Sequence, residues 1–503
     1  MLDHLKTHFG FDAFRPLQEE IVTTVLARQD TLVLMPTGGG KSMCYQLPAL
    51  LLDGVTLVVS PLIALMKDQV DALNGSGVPA AYLNSSLCAK DAAGVQEDAL
   101  AGKVKLLYVA PERLASFSFR PFFKRLNVSL VAIDEAHCIS QWGHDFRPEY
   151  GNLRDVRALF PEVPLIALTA TATPQVREDI VASLGLRDVK TFVSSFNRPN
   201  LHYRVQPKYN TFAALSVLLA QHKHQSVIIY CFSRKDTEEL AWDLSRAGFT
   251  ALPYHAGLPR EVRAHTQEQF IRDEVKIIVA TIAFGMGIDK PDVRLVVHMD
   301  LPKAMESYYQ ETGRAGRDGL QSDCVLFYSV ADRRKQEYFI NQIPDEPERA
   351  RARHKLRQML EYCEGSSCRR RFVLGYFGEA YAQPSCDACD NCVKPTDSQP
   401  RDVTMTQKIL SAVLRTGERF GMGYICDVLR GSRKKRVLEN KHDRLSVHGL
   451  LRSVPEADLR GHISSLVRTG ELEKVAGEYP TLRVSKAGRE SLKQAVPPET
   501  PSV

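Results

Sequence analysis

No hydrophobic run in this chain of 503 residues is long enough to cross a bilayer. The longest, Val55–Met66, is broken by Ser60 and Pro61. The amino terminus lacks the greasy core of a secretory leader, since Met1–Phe9 carries His, Asp and Lys. Membrane partners are therefore not expected, and the chain should act in the cytoplasm or on the chromosome. An excess of either charge sign is also lacking, with 65 basic and 59 acidic residues giving a net of only +6. What excess there is falls late, at Arg349–Lys355, Arg369–Arg371 and Arg430–Arg436, which hints at a polyanion. Eleven cysteines without a secretory leader argue for metal or reduced thiols over disulfides.

What is present is alternation. Hydrophobic content of 44% and charged content of 25% are those of an ordinary globular chain, and the length suggests roughly three or four domains. Short apolar runs alternate with amphipathic stretches up to residue 330. Candidate core strands are Thr31–Met35, Thr56–Ser60, Leu106–Val109, Leu130–Ile133 and Leu165–Leu168. A second set follows at Ser226–Tyr230, Ala251–Tyr254, Ile277–Ala280, Leu295–His298 and Cys324–Tyr328. So many strands with helices between them exceed one doubly wound sheet, so two tandem α/β lobes are expected. The polar, proline-containing Ser194–Asn200 is the expected joint, with a strand-like run at Leu201–Val205.

Two of the strands run into phosphate chemistry. Pro36-Thr37-Gly38-Gly39-Gly40-Lys41-Ser42 follows the first, and Asp134-Glu135-Ala136-His137 follows Leu130–Ile133. Loops at the carboxyl edge of a parallel sheet are where such folds bind nucleotides. Glycines let backbone N–H groups wrap a triphosphate, Lys41 reaches the outer phosphates, and the Ser42 hydroxyl can hold Mg²⁺. Met35 stands where the strict pattern has its first glycine. Asp134 can steady the metal, and Glu135 can orient the attacking water. These features predict a nucleoside triphosphate hydrolase. Downstream, Gln310–Gly319 sets Arg314 and Arg317 three residues apart, on one face of a helical turn. They read as arginine fingers from the second lobe or as a helix-end pair bonded to nearby carboxylates, and the upstream P-loop favours fingers.

In this order the motifs resemble superfamily 2 helicases, and within them the RecQ family of DNA helicases. The resemblance is carried by Phe11, Phe14-Arg15-Pro16 and Gln18; the P-loop; Ser60-Pro61-Leu62 with Lys67-Asp68-Gln69; Ala110–Arg113; DEAH; and Thr169–Ala172. It continues through Tyr230-Cys231 with Ser233-Arg234, Thr281 with Phe284–Gly287, and the double-arginine segment. Cys138–Pro148, directly after DEAH, points to RecQ in particular. The family implies ATP as substrate, with Gln18 reading adenine, Phe11 stacking on it, and Arg15, Thr37, Gln310 and Asp289 in the same site. It also implies a catalytic part for His137 and 3′→5′ movement on a single strand.

Trp142, Phe146 and Arg147 read as a planar, partly cationic cluster beside Glu135, suited to stacking on unpaired bases. In the family this segment, with Gln141 and His144, couples DNA binding to hydrolysis. A buried Trp–Phe core pair is the competing reading.

Two further modules are expected. Cys368, Cys386, Cys389 and Cys392 are spaced C-x17-C-x2-C-x2-C, which suits one tetrahedral Zn²⁺ or an iron–sulfur cluster; the resemblance favours zinc. Cys363 is set aside as a ligand. Helices at Met405–Thr416, Tyr424–Leu429 and Glu456–Thr469, then a hairpin turning at Gly477–Pro480, suggest a winged helix. In the family that module binds duplex DNA, and Arg433, Lys434 and Lys435 in its basic run suit phosphate contacts.

The expected architecture is thus two tandem RecA-like lobes (1–196 and 197–335), a helical zinc-binding module (336–395) and a winged helix (401–496), without the accessory domain of longer relatives. The expected activity is an ATP-dependent DNA helicase in recombination, repair or replication-fork maintenance, using ATP, Mg²⁺ and Zn²⁺. Its partners would be single-stranded and duplex DNA, with single-strand-binding and repair proteins as candidates, and the chain would be a monomer. The competing classes are an RNA helicase and an ATP-gated DNA-binding or annealing scaffold.

Overall fold

The computed structural model describes residues 1–36, 38–116, 119–143, 145–285, 290–393, 403–475 and 481–492. Among these residues no helix is long and apolar enough to cross a membrane. Thr37, His144, Asp289, Met286, Gly287 and the expected hairpin turn lie outside the described residues.

The first sheet has seven strands: β1 (Thr31–Leu34), β2 (Val55–Val59), β3 (Ala80–Leu83), β4 (Leu106–Val109), β5 (Val128–Ile133), β6 (Leu165–Thr169) and β7 (Lys190–Val193). Their order is β3-β4-β2-β5-β6-β1-β7, and neighbouring strands pair in parallel. Strands of a parallel sheet covered on both faces read as unbroken apolar runs. The five interior strands are buried along their whole length and were expected from such runs. The two unforeseen strands are the edges. Lys190-Thr191-Phe192-Val193 buries only Phe192, and Ala80-Ala81-Tyr82-Leu83 buries only Leu83, so neither shows a full apolar run.

The second sheet has six strands: β8 (Leu201–Pro207), β9 (Ser226–Tyr230), β10 (Ala251–Tyr254), β11 (Ile277–Ala280), β12 (Val293–His298) and β13 (Ser322–Tyr328), ordered β10-β11-β9-β12-β13-β8. Pro253 sits in the edge strand β10, where a missing N–H costs no ladder bond. Between the sheets runs the segment from Val193 to Leu201.

That segment is held by the cysteine-bearing module. Arg370, on the helix Arg369–Tyr376, is buried. Its guanidinium donates to Asn197 Oδ1 at 2.8 Å, to the Arg198 carbonyl, to Pro199 O at 3.3 Å and to Leu201 O at 2.7 Å. Glu379 accepts from Ser195 Oγ at 2.6 Å and from Phe196 N at 2.7 Å. Phe377 stacks on Phe196 with ring centroids 4.6 Å apart, and Tyr309 Oη donates to Phe196 O at 3.0 Å. The same module touches β8: Cys389 bridges Tyr203, Asp390 N donates to Tyr203 O at 3.1 Å, and Val205 N donates to Asp390 Oδ2 at 3.1 Å.

The C-terminal unit has its own core. Helices Val403–Arg415, Met422–Leu429 and Glu456–Arg468 enclose Ile409, Val413, Ile425, Leu429, Leu459 and Ile463. The antiparallel hairpin of β14 (Leu472–Val475) and β15 (Thr481–Val484) adds Leu472, Leu482 and Val484, with Leu472 opposite Val484. This is a winged-helix arrangement. A short helix, Lys435–Glu439, was not expected within the basic stretch, because Lys and Arg there mask the single inward residue Val437.

Candidate nucleotide, metal and DNA sites

The P-loop links β1 to the helix Met43–Leu51. Gly38 and Gly40 have φ of 82° and 81°, a left-handed conformation that glycine adopts without strain. A Cβ on Gly39 would lie 2.9 Å from Pro36 O, so the loop is closed around its own backbone. Lys41 is half-buried at its end, with Nζ donating to Met35 O at 3.2 Å. Burial lowers its pKa, while Glu135 and then Asp134 pull the other way.

Asp134 ends β5, and its N–H donates to Val59 O at 2.8 Å. Burial first, and then the charge of Glu135, push its carboxyl up to about 7. Glu135 has φ 46°, a strained conformation for a residue other than glycine and one concentrated at functional sites. His137 is buried, with Nδ1 2.8 Å from Thr169 Oγ1 and 3.3 Å from Glu135 Oε2. Burial opposes its charge, but Cys138 and Glu135 outweigh that and raise it to about 10. The histidine thus ties the DEAH turn to the end of β6. A half-buried lysine, a hydroxyl and a half-buried carboxylate form a donor set that fits a Mg²⁺-bound nucleotide.

The residues expected at adenine lie against this loop. Gln18 is buried, and its amide donates to Gly40 O at 3.0 Å while accepting from Arg15 N at 2.8 Å. Arg15 Nη1 donates to Gly38 O at 2.5 Å. Phe11 is 48% exposed, open for stacking.

From the second lobe, Gln310 Nε2 reaches Thr171 Oγ1 at 3.2 Å. The two arginines part company, contrary to one shared helical face. The helix Met305–Thr312 ends before them, and they lie in the following turns. Arg314 is buried, donates to Gly285 O and lies beside Tyr230. Arg317 runs along the P-loop, its Cδ 3.4 Å from where a Gly38 Cβ would stand.

The segment after DEAH exposes Gln141, Trp142 (39%) and Phe146 (40%), so Trp142 and Phe146 are no buried core pair. Arg147 does not join them as a free plane. Its Nε and Nη2 donate to Asp145 Oδ2 at 3.1 and 3.0 Å, and Nη1 donates to Pro61 O at 3.1 Å. The cation near Trp142 is instead Arg351, 5.8 Å from the ring centroid, on the long helix Glu346–Glu364. Lys355, one turn on, donates to Gly143 O at 2.6 Å. The sequence marked both only as members of a basic run. Their four-residue spacing, which puts them on one helix face, was the available signal.

The four expected cysteines converge, with their sulfurs within 4.8 Å of one another. Backbone N–H groups point at three of them: Arg371 to Cys368 at 3.5 Å, Arg369 to Cys389 at 3.4 Å, and Cys386 to Cys392 at 3.5 Å. Such donors suit thiolates, and four thiolates at this separation fit one tetrahedral Zn²⁺. Cys363 is buried outside the cluster. In the C-terminal unit, Arg433, Lys434 and Lys435 are all exposed, with Lys434 paired to Asp427 at 2.8 Å and Lys435 to Glu439 at 3.8 Å.

Four sequence families match parts of this chain. Residues 15–180 match the DEAD/DEAH box helicases, 210–319 the helicase conserved C-terminal domain, 330–393 the RecQ zinc-binding family and 398–499 the RQC domain. The chain is 44% identical to ATP-dependent DNA helicase RecQ of Haemophilus influenzae, over 99% of this chain and 80% of that protein. It is also 44% identical to the Bacillus subtilis protein of the same name, over 97% and 83%. Among solved structures, the helicase MrfA bound to DNA aligns with a TM-score of 0.56 at 18% identity, covering 76% of this chain and 59% of that one. Saccharomyces cerevisiae Dbp5 bound to RNA aligns at 0.53 and 16%, covering 71% and 89%. At such identities these two establish a shared fold only.

Proposed function

Because the chain belongs to the RecQ family of helicases, we infer that it is an ATP-dependent DNA helicase that moves 3′→5′ on a single strand and unwinds duplex DNA in recombination and repair. The observation that carries the reading is the meeting of two lobes at one P-loop: Arg317 lies along Gly38 while Gln310 bonds Thr171. A site completed only when two lobes meet turns nucleotide occupancy into lobe movement.

In this reading Lys41 holds the outer phosphates, Ser42 and Asp134 hold Mg²⁺, and Glu135 orients the attacking water, itself set by His137. When bound, Mg²⁺ would supply the charge that offsets the phosphates and Asp134. Arg317 stabilises the transferring phosphoryl group, and Arg314 shapes the lobe that presents it. Gln18, Arg15 and Phe11 line the adenine side, with Thr37 and Asp289 as further contacts. Gln141, Trp142, His144 and Phe146 meet the single strand. The zinc site is structural, and Arg433, Lys434 and Lys435 on the winged helix contact duplex phosphates. Such a protein works as a monomer in the cytoplasm, on the chromosome, beside single-strand-binding and repair proteins.

Steady-state ATP hydrolysis with single-stranded DNA, single-stranded RNA or neither, alongside Glu135→Gln, tests this. Stimulation by DNA that vanishes in Glu135→Gln is expected. Stimulation by RNA alone would overturn the DNA assignment, and indifference to both would favour a scaffold.

A further inference from the structure

The helix Glu346–Glu364 lies outside the motor motifs, yet it buries a lysine. The Lys355 side chain is 15% exposed. Its ammonium donates to the Gly143 carbonyl and stands 4.0 Å from Glu306, whose side chain is 3% exposed in the first turn of the helix Met305–Thr312. Burying an ammonium is costly unless its donors are used, and an apolar side chain of similar volume would fill the space more cheaply. Burial lowers the pKa of Lys355, and the Glu306 carboxylate opposes this.

Both partners lead to the site of hydrolysis. A Cβ on Gly143 would meet His137 O at 2.5 Å and Ser140 O at 3.0 Å, so this peptide presses directly on the DEAH turn. His137 in turn stands 3.3 Å from Glu135. On the other side, the helix that carries Glu306 also carries Gln310, which bonds Thr171, and leads into Arg317. One turn before Lys355, Arg351 lies near the ring of Trp142. A single helix face therefore touches the exposed aromatic, the Gly143 peptide beside it and the helix that leads into the finger.

We propose that Lys355 is a positioning residue for ATP hydrolysis. By bridging the Gly143 carbonyl and Glu306, it fixes the aromatic segment against the DEAH turn, so that a strand bound at Trp142 is felt at Glu135. The proposal rests on the helicase reading and adds to it a part outside the motor motifs.

The chain has two tryptophans, Trp142 and the 67%-exposed Trp242, so Trp242→Phe leaves Trp142 as sole reporter. In that full-length, zinc-loaded protein, Lys355→Met and Lys355→Arg are compared with the parent. Lys355→Met is expected to lower the DNA-stimulated kcat by about 10- to 100-fold with the KM for ATP little changed, as for a small misplacement of a catalytic group. Acrylamide quenching of Trp142 should rise, zinc content should stay at one per chain, and Lys355→Arg should recover much of the rate. Unchanged stimulation and quenching in Lys355→Met would overturn the proposal, as would loss of zinc together with activity, which would make the lysine purely structural. A parent indifferent to DNA would refute the helicase reading instead, while Trp142 quenching without nucleic acid still decides whether Lys355 holds the segment.

Discussion

Replacing Arg314 and Arg317 separately by alanine should break two different properties. Arg314 is buried, donates to the Gly285 carbonyl and lies beside Tyr230, whose hydroxyl donates to Phe284 O at 2.9 Å. A hydrogen bond from a charged group is worth about 1.5–3 kcal/mol, and an acceptor left buried adds to that, so a loss of about 3 kcal/mol follows. For a lobe of this size that lowers the melting temperature by roughly 6–12 °C. Arg317 is only half-buried and lies against the P-loop, so its loss should cost less stability than that of Arg314, about 1 kcal/mol. An arginine that stabilises the transferring phosphoryl group contributes about 10³–10⁵ in kcat, equivalent to about 4–7 kcal/mol of barrier. Arg317→Lys should recover little, because a point charge lacks the planar fork. Thermal melts paired with DNA-saturated ATP hydrolysis separate the two effects. An Arg317→Ala enzyme that keeps more than about a tenth of its kcat would refute the reasoning, as would an Arg314→Ala protein that melts like the parent.

Cys389→Ser should remove the metal from the whole module, because zinc binding supplies its folding free energy, about 10–16 kcal/mol in small zinc domains. Metal analysis should fall from one zinc per chain to none, and proteolysis should open the chain near residue 390. Asp273 is drawn down to about 2 by hydrogen bonds from Lys276 and Lys290, against burial, so its stabilisation is present above about pH 4 and fades as pH falls toward 2. Asp273→Asn should therefore cost about 1 kcal/mol near neutrality, after screening of a half-exposed carboxylate, and leave the buried Lys290 to Asp292 alone. The gap between melts of mutant and parent should narrow as pH falls from about 4 toward 2; a gap undiminished near pH 2 would count against the ion pair as its source.

The interior of both sheets was legible because parallel strands covered on two faces leave apolar runs, as Val55–Val59 and Ile277–Ala280 do. Edge strands escape that signal, and β3 and β7 were missed for that reason. The P-loop and the four thiols were legible because their chemistry depends on local spacing. Contacts between distant segments were not. Nothing near Arg147 in sequence announces that Pro61 O will take its guanidinium, and nothing near Gly143 announces Lys355. Two arginines three apart looked equivalent until the chain left its helix at Gly313 and turned one inward.

The second sheet ends at β8, and there the bridge from Tyr203 to Cys389 and the Asp390 contacts act as a cover. A bare edge strand is a template for pairing with another chain. At the opposite edge Pro253 blunts that hazard covalently, but at β8 the protection is lent by a metal knuckle and leaves with it. A chain made without zinc is thus sticky as well as loose. Its characteristic failure should be self-association through β8, rising with concentration, before any loss of the first sheet.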